Sequence, residues 1–280
     1  MPELPEVETI KRYVESALKG AQIQNVQVRQ PKFREPVPDD FAQKITGAEI
    51  VDLKRIAKYM LMNLNNGLTI IWHFGMSGKI RIESADTSLK LQKHDHIIID
   101  TTRGRLIFND PRRFGLVVLC HTNRLKSHHL LQHLGLDPWD KNLTAAYLAQ
   151  KFAGKKTAVK IALLDQTIVC GIGNIYASEI LYRARILPVR PAESINSAEI
   201  KRLIKYTREV LESAVEAGGS SIHDYVHPDG NVGYFQESHC VYNKTGLRCP
   251  QCCCVFEKTG GIQKSVLGGR STFYCATLQK

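Results

Sequence analysis

Tyr59-Met60-Leu61-Met62-Asn63-Leu64 and Leu68-Thr69-Ile70-Ile71-Trp72-His73 are two short apolar runs separated by Asn65-Asn66-Gly67. Runs of this length closed by an Asn-Gly turn predict an antiparallel hairpin. The same rhythm extends in both directions along the chain. Ile23–Val28 lies upstream, and His96–Asp100, Leu106–Phe108 and Leu116–Leu119 lie downstream, with Arg103-Gly104 as a further turn. Ahead of them, Pro2-Glu3-Leu4-Pro5-Glu6 leads into Val7, Ile10, Val14 and Leu18 at helical spacing, and Gly20 closes the pattern. Acidic residues in the first turn and a terminal glycine are helix start and stop signals. Residues 1–135 therefore read as an antiparallel sandwich or barrel carrying one N-terminal helix.

The character changes after Gly135. Leu136-Asp137-Pro138-Trp139-Asp140 reads as a linker, and beyond it the apolar period is helical near Leu143–Lys151, Ala158–Leu164, Ile175–Ala184 and Ala198–Ala217. A glycine-bearing loop, Gly218 to Gly233, follows, and the remainder is rich in cysteine. The expected architecture is α+β in three parts. Residues 1–135 form a β-rich domain, 136–235 a helical domain, and 236–280 a small metal-ribbon-like appendix.

A chain of 280 residues with 43% hydrophobic and 23% charged residues has a core, which excludes wholesale disorder. No stretch approaches the ~18 uninterrupted apolar residues of a membrane span, and no signal-peptide apolar region is expected. The 38 Lys and Arg outnumber the 27 Asp and Glu, leaving a net charge of +11. That excess favours a polyanionic partner, nucleic acid first, although ribosomal contacts or anionic lipid would also suit it. Of the eight cysteines, Cys120 and Cys170 stand alone, while Cys240, Cys249, Cys252, Cys253, Cys254 and Cys275 crowd the tail. This distribution fits a cytosolic metal site better than a disulfide framework. A cytoplasmic, DNA- or RNA-facing protein is expected.

The N-terminus carries the sharpest chemistry. Loss of Met1 ahead of small Pro2 would expose a proline imino group at a helix start. An α-amino group has a reference pKa of about 8, against about 10.4 for lysine, so more of it is nucleophilic at neutral pH. The partial positive charge of a helix N-terminus disfavours its protonation further. A secondary amine that attacks a sugar C1′ expels the base and leaves an iminium, with Glu3 placed to carry protons. The plain alternative is an ordinary proline at a helix start.

Met1-Pro2-Glu3-Leu4-Pro5-Glu6-Val7-Glu8-Thr9 resembles the N-terminal signature of bacterial formamidopyrimidine-DNA glycosylase, the 8-oxoguanine-DNA glycosylase/AP lyase family. Further segments match in order along essentially the whole chain. These are Ala57-Lys58-Tyr59, Gly75-Met76-Ser77-Gly78, Lys93-His94-Asp95-His96, Asp110-Pro111-Arg112-Arg113-Phe114-Gly115, Gly171-Ile172-Gly173-Asn174 with Ile175-Tyr176-Ala177-Ser178-Glu179, and Gly233-Tyr234-Phe235. The resemblance implies a β-sandwich, a helix–two-turns–helix domain and a zinc-finger-type hairpin. It also implies a monomer that flips an oxidised purine from duplex DNA, removes it and cuts the strand.

On the same resemblance, Pro2 is the Schiff-base nucleophile, Glu3 the general acid and Lys58 the proton donor in β-elimination. Arg270, in Arg270-Ser271-Thr272-Phe273-Tyr274-Cys275, is the hairpin arginine of phosphate grip and δ-elimination. His94, Arg112, Lys155 and Asn174 match phosphate-contact positions, with Arg113, Lys156 and Lys160 as basic neighbours expected to add to the same field. Met76, Arg112 and Phe114 match the trio that fills the hole left by an extruded base, where an apolar wedge and a planar cation replace lost stacking. Gly218–Gly233 resembles the loop that closes over the lesion. Two other readings share the fold: an endonuclease VIII-like pyrimidine glycosylase, and a non-catalytic damage binder. Leu4 and the intact trio disfavour the first, and Pro2, Glu3 and Lys58 disfavour the second.

One departure from the family pattern stands out. The hairpin there is held by two C-x₂-C pairs, and here Cys249, Cys252 and Cys275 supply three thiols while Leu278 occupies the fourth position. Zinc is expected with these three as ligands and with Cys253, Cys254, Cys240 or His239 as candidates for the fourth. The opposing expectation is a metal-free hairpin packed by Phe256, Phe273 and Tyr274.

Overall fold

The computed structural model describes residues 2–84, 90–220, 235–253 and 255–280. Helix α1, Leu4–Leu18, opens the chain and turns Val7, Ile10, Val14 and Leu18 into the core. Each such side chain stabilises the fold by about 1.5–3 kcal/mol when fully buried. Two four-stranded antiparallel sheets follow. In one the order is β1 (Ile23–Val28), β6 (Asp95–Thr101), β7 (Gly104–Asn109) and β5 (Lys79–Glu83). In the other it is β2 (Ile50–Ile56), β3 (Tyr59–Leu64), β4 (Leu68–His73) and β8 (Leu116–His121). A short helix α2, Phe41–Ile45, packs on β1.

The hairpin expected from the opening runs is β3–β4, with Tyr59 opposite His73 and Asn63 opposite Thr69. Its inward residues Met60, Met62, Ile70 and Trp72 join Ile97, Ile99, Leu106 and Phe108 of the other sheet in one core cluster. Trp72 and Phe108 meet edge to face across the sheets, their ring centroids 5.5 Å apart. Buried faces from two sheets sharing one core make a sandwich.

The helical part comprises α3 (Ala145–Phe152), α4 (Val159–Leu164), α5 (Asn174–Arg183) and α6 (Ser197–Glu216). Along α6, Ile200, Leu203, Ile204, Thr207, Val210, Leu211 and Ala214 are buried at the three- and four-residue spacing of one helix face. A single turn, α7 (Phe256–Thr259), precedes the terminal hairpin β9 (Gln263–Leu267) and β10 (Arg270–Tyr274). Contacts divide the chain into two units, Met1–Gln132 with Ala217–Tyr234 and His133–Glu216 with Phe235–Lys280. The hairpin thus belongs with the helices, and β10 packs on α5. The lesion-loop segment Gly218–Gly233 and the motif Gly233-Tyr234 fall largely outside the described residues, as do Met1 and Cys254.

Candidate functional site

In the first unit, Pro2 is buried and Glu3, the residue that caps α1, is 3% exposed. Glu6 fixes this start: its carboxylate accepts the Glu3 N–H at 2.8 Å and the Ser220 N–H at 2.8 Å. A carboxylate is stabilised there by the N–H groups and partial positive charge of the first helical turn. Lys58 is also buried, in the two-residue turn between β2 and β3, whose Ala57 adopts a φ of 53°. Arg55 ties that turn to α1. Its Nε donates to Glu8 Oε2 at 3.1 Å and its Nη1 to the Ala57 carbonyl at 3.1 Å. Glu6, Glu8 and Arg55 lie inside or beside the quoted motifs, but residue type alone does not reveal these roles.

Met76 and Phe114 are 39% and 49% exposed, unusual for large apolar side chains in a chain with a well-filled core. Arg112 is exposed as well, its guanidinium 4.8 Å from the Phe114 ring centroid. Two loops present the three side chains, and buried Asp110 braces both. One carboxylate oxygen accepts the Ser77 hydroxyl at 2.6 Å and the other the Gly115 N–H at 2.8 Å. The Arg112 N–H in turn reaches Ser77 Oγ at 3.2 Å. The loops are so close that a Cβ on Gly75, whose φ is +57°, would lie 2.3 Å from the Phe114 carbonyl carbon. Only glycine fits there. His94 stands at the same place, its carbonyl accepting the Asp110 N–H at 3.1 Å.

His73 lies at the end of β4, and its Nδ1 accepts the Gly75 N–H at 3.1 Å. Burial, with Arg34 and Lys58 nearby, pushes its pKa down to about 4. The unfolded chain takes up this proton below about pH 6.5 and the folded chain only below about pH 4. Stability from neutral His73 is therefore whole at pH 7 and declines as pH falls through that window, by roughly 3 kcal/mol in all. His73→Asn keeps an acceptor for Gly75 and cannot titrate. Urea midpoints measured from pH 7 to pH 4 should fall less steeply for this variant than for the parent, and equal slopes would refute the assignment.

In the second unit the structure corrects one expectation. Lys160 is no surface contributor to a basic field: it is 0% exposed. Its ammonium donates to Asn174 Oδ1 at 2.7 Å, the Ser271 carbonyl at 3.0 Å and Thr272 Oγ1 at 2.8 Å. Asn174 Nδ2 donates to the same Ser271 carbonyl at 3.0 Å. Lys160, Asn174 and the strand that begins with Arg270 therefore form one network. Arg270 is exposed at the tip of the β9–β10 hairpin, beside the Gly268-Gly269 turn. Lys155, half-buried, lies apart on the α3–α4 loop, its N–H bonded to the Phe152 carbonyl. Glu179, fully buried, accepts the N–H groups of Cys240, Val241 and Tyr242 and so anchors the segment leading to the tail.

The Cys249, Cys252 and Cys275 sulfurs all lie within 4.8 Å of one another. Burial raises the Cys249 thiol, but the Tyr182 hydroxyl, the Gln251 N–H and the neighbouring thiols more than offset it and leave the pKa lowered. Cys275, raised mainly by burial, accepts N–H groups from Leu278 and Thr277. Zinc bound by thiolates at about 2.3 Å places them roughly 3.8 Å apart on a tetrahedron. The 3.7 Å between Cys252 and Cys275 Sγ fits that edge. The three thiols are therefore close enough together to hold a metal ion. Among the described residues no fourth His, Cys, Asp or Glu joins them, so Cys240, Cys253 and His239 stand outside the cluster.

In the first unit a proline stands immediately ahead of a helix beside a buried carboxylate, and a buried lysine lies in the β2–β3 turn. Exposed Met76, Arg112 and Phe114 in the first unit, and exposed Arg270 in the second, are side chains of types that suit contact with DNA. Comparison with known proteins gives the family. Residues 1–117 match the formamidopyrimidine-DNA glycosylase N-terminal domain, and residues 134–226 match the H2TH domain of the same glycosylases. The formamidopyrimidine-DNA glycosylase of Rhodospirillum rubrum is 43% identical over 281 residues, covering 100% of both chains. That of Jannaschia is 44% identical over 290 residues, again with 100% of each covered. The Lactococcus lactis enzyme solved with abasic-site DNA superposes with a TM-score of 0.90 at 31% identity, covering 100% of both chains. The Thermus thermophilus enzyme gives a TM-score of 0.87 at 35% identity, over 99% of this chain and 98% of that one. The chain belongs to the formamidopyrimidine-DNA glycosylase family and is a base-excision repair DNA glycosylase. Among the described residues no helix is long and apolar enough to cross a membrane.

Proposed function

We propose that this chain excises 8-oxoguanine and formamidopyrimidines from duplex DNA and then cleaves the strand at the abasic site, acting as a monomer in the cytoplasm. The observation that carries the reading is the α1 start, where Pro2 precedes a buried Glu3 whose backbone is pinned by Glu6. The Pro2 nitrogen attacks C1′ of the lesion nucleotide as the glycosidic bond breaks, and the base leaves with a proton. Glu3 handles proton transfer at the opening sugar, leaving an iminium between Pro2 and C1′. That iminium draws electrons from C2′, so loss of the C2′ proton expels the 3′ phosphate. Lys58 serves as the proton donor in this β-elimination, and Arg270 grips the phosphate for the δ-elimination that expels the 5′ side.

Met76, Arg112 and Phe114 fill the vacated stack. His94, Arg112, Lys155 and Asn174 hold phosphates. Residues 1–135 act as the catalytic domain, 136–235 as the DNA-binding domain and 236–280 as the hairpin module. One zinc ion on Cys249, Cys252 and Cys275 supplies a structural crosslink within that module.

Borohydride reduction tests the reading directly. With 8-oxoguanine opposite cytosine, the protein should be captured as a covalent DNA adduct whose peptide map places the sugar on the Pro2 nitrogen. An adduct on Lys58, or none from a preparation that binds the lesion, would overturn it. Stronger capture on a thymine-glycol duplex would mark an endonuclease VIII-like enzyme instead.

A further inference from the structure

Leu278, at the position of the missing thiolate, packs with its side chain against the thiol cluster and has no donor to offer. Tyr182 does. It projects from the last turn of α5, is 0% exposed, and its hydroxyl lies 3.1 Å from Cys249 Sγ. Its neighbours in the cluster are Val241, Ile262 and Phe273 with the thiols themselves. A phenylalanine would fill that apolar space without burying a hydroxyl, which is costly unless the oxygen has a partner. Its partner is Cys249 Sγ, so the oxygen faces the thiols.

We propose that Tyr182 supplies the fourth donor of the tail's metal site, giving three thiolates and one phenol oxygen for a divalent ion such as zinc. The proposal rests on the reading of the tail as zinc-binding. Three observations carry it. The Cys252–Cys275 separation of 3.7 Å already matches a tetrahedral edge. Backbone N–H groups of Gln251, Thr277 and Leu278 hydrogen-bond the Cys249 and Cys275 sulfurs and hold them in place. A metal–oxygen bond of about 2.0–2.2 Å would set the phenol oxygen roughly 3.5 Å from an adjacent sulfur, a few tenths of an ångström beyond its present distance. Oxygen in place of sulfur makes the site harder, so it should hold soft ions less selectively than a four-thiolate site.

The test uses the full-length zinc-loaded protein. Zinc-edge X-ray absorption should show three sulfurs at about 2.3 Å and one oxygen at about 2.0–2.2 Å. Tyr182→Phe keeps the ring and the packing, and should weaken zinc by at least about tenfold in competition with a chromophoric chelator. It should also shift the visible bands of the cobalt-substituted protein. Adding Leu278→Cys to Tyr182→Phe should restore affinity and give four sulfurs. Four sulfurs in the parent protein would overturn the proposal in favour of Cys253 or Cys254. Unchanged affinity and one retained oxygen in Tyr182→Phe would overturn it in favour of water. Absence of zinc from the parent protein would instead remove the zinc reading itself, and this proposal with it.

Discussion

Glu3→Gln should slow excision of 8-oxoguanine from a duplex by about 10²–10⁴-fold, the contribution of one positioned acid or base. The substitution removes a proton carrier and little else. Glutamine has the same length, retains an oxygen that can cap the first turn of α1, and leaves the Glu3 N–H on Glu6 Oε2 at 2.8 Å. Glu3 is 3% exposed, so it is also poorly placed to be a general electrostatic contact for the phosphate backbone. Lesion affinity should therefore stay within a few-fold of the parent while the single-turnover rate collapses. A loss in the rate alone is the mark of an interaction made in the transition state. Equal losses in affinity and rate would show that Glu3 holds DNA and does not move protons.

Much of this fold is written locally. The β3–β4 hairpin and helices α1, α3, α4, α5 and α6 follow from apolar period and turn residues, because each buries one continuous face. Among the elements that escape such reading are α2, β2 and β5. Both strands lie at sheet edges, where charged side chains are the usual protection of an unpaired edge. Asp52, Lys54 and Arg55 on β2, and Lys79, Arg81 and Glu83 on β5, dilute the apolar signal accordingly. Helix α2 has only five residues, too few for a helical period to register.

The candidate site divides in the same way. Pro2 and Glu3 draw attention in the sequence because they stand immediately ahead of a helix, a property of neighbouring residues. Glu6, Asp110, Glu179 and Tyr182 look like ordinary members of their segments until their partners are known. Those partners lie far along the chain, as with Glu6 and Ser220, 214 residues apart. Asp110 shows what this costs a sequence reading. Met76, Arg112 and Phe114 are visible as residue types, whereas the carboxylate that sets their two loops is hidden inside them.

Lys160→Met should lower the melting temperature by roughly 3–5 °C and weaken binding to lesion-bearing and undamaged duplex alike. The first figure follows from the bonds lost. Three acceptors, Asn174 Oδ1, the Ser271 carbonyl and Thr272 Oγ1, receive the buried ammonium. Stranding such groups costs about 1–3 kcal/mol each, partly offset here because burying a charge is itself unfavourable and Ser271 keeps the Asn174 donor. A net loss of about 2–3 kcal/mol corresponds to a shift of this size in a chain somewhat above 150–250 residues. The loss of affinity has a different origin. Without the ammonium, the Asn174 amide and the strand that begins with Arg270 are no longer held in one orientation, so the phosphate contacts proposed for Asn174 and Arg270 should weaken together. Lys155→Ala makes the contrast. Lys155 is half-buried on a loop, and its removal should leave the melting temperature within about 1 °C while reducing the dependence of log K on log salt by about one contact. A Lys160→Met protein that melted with the parent and differed only in its salt slope would mean that Lys160 meets phosphate directly, as a surface lysine does.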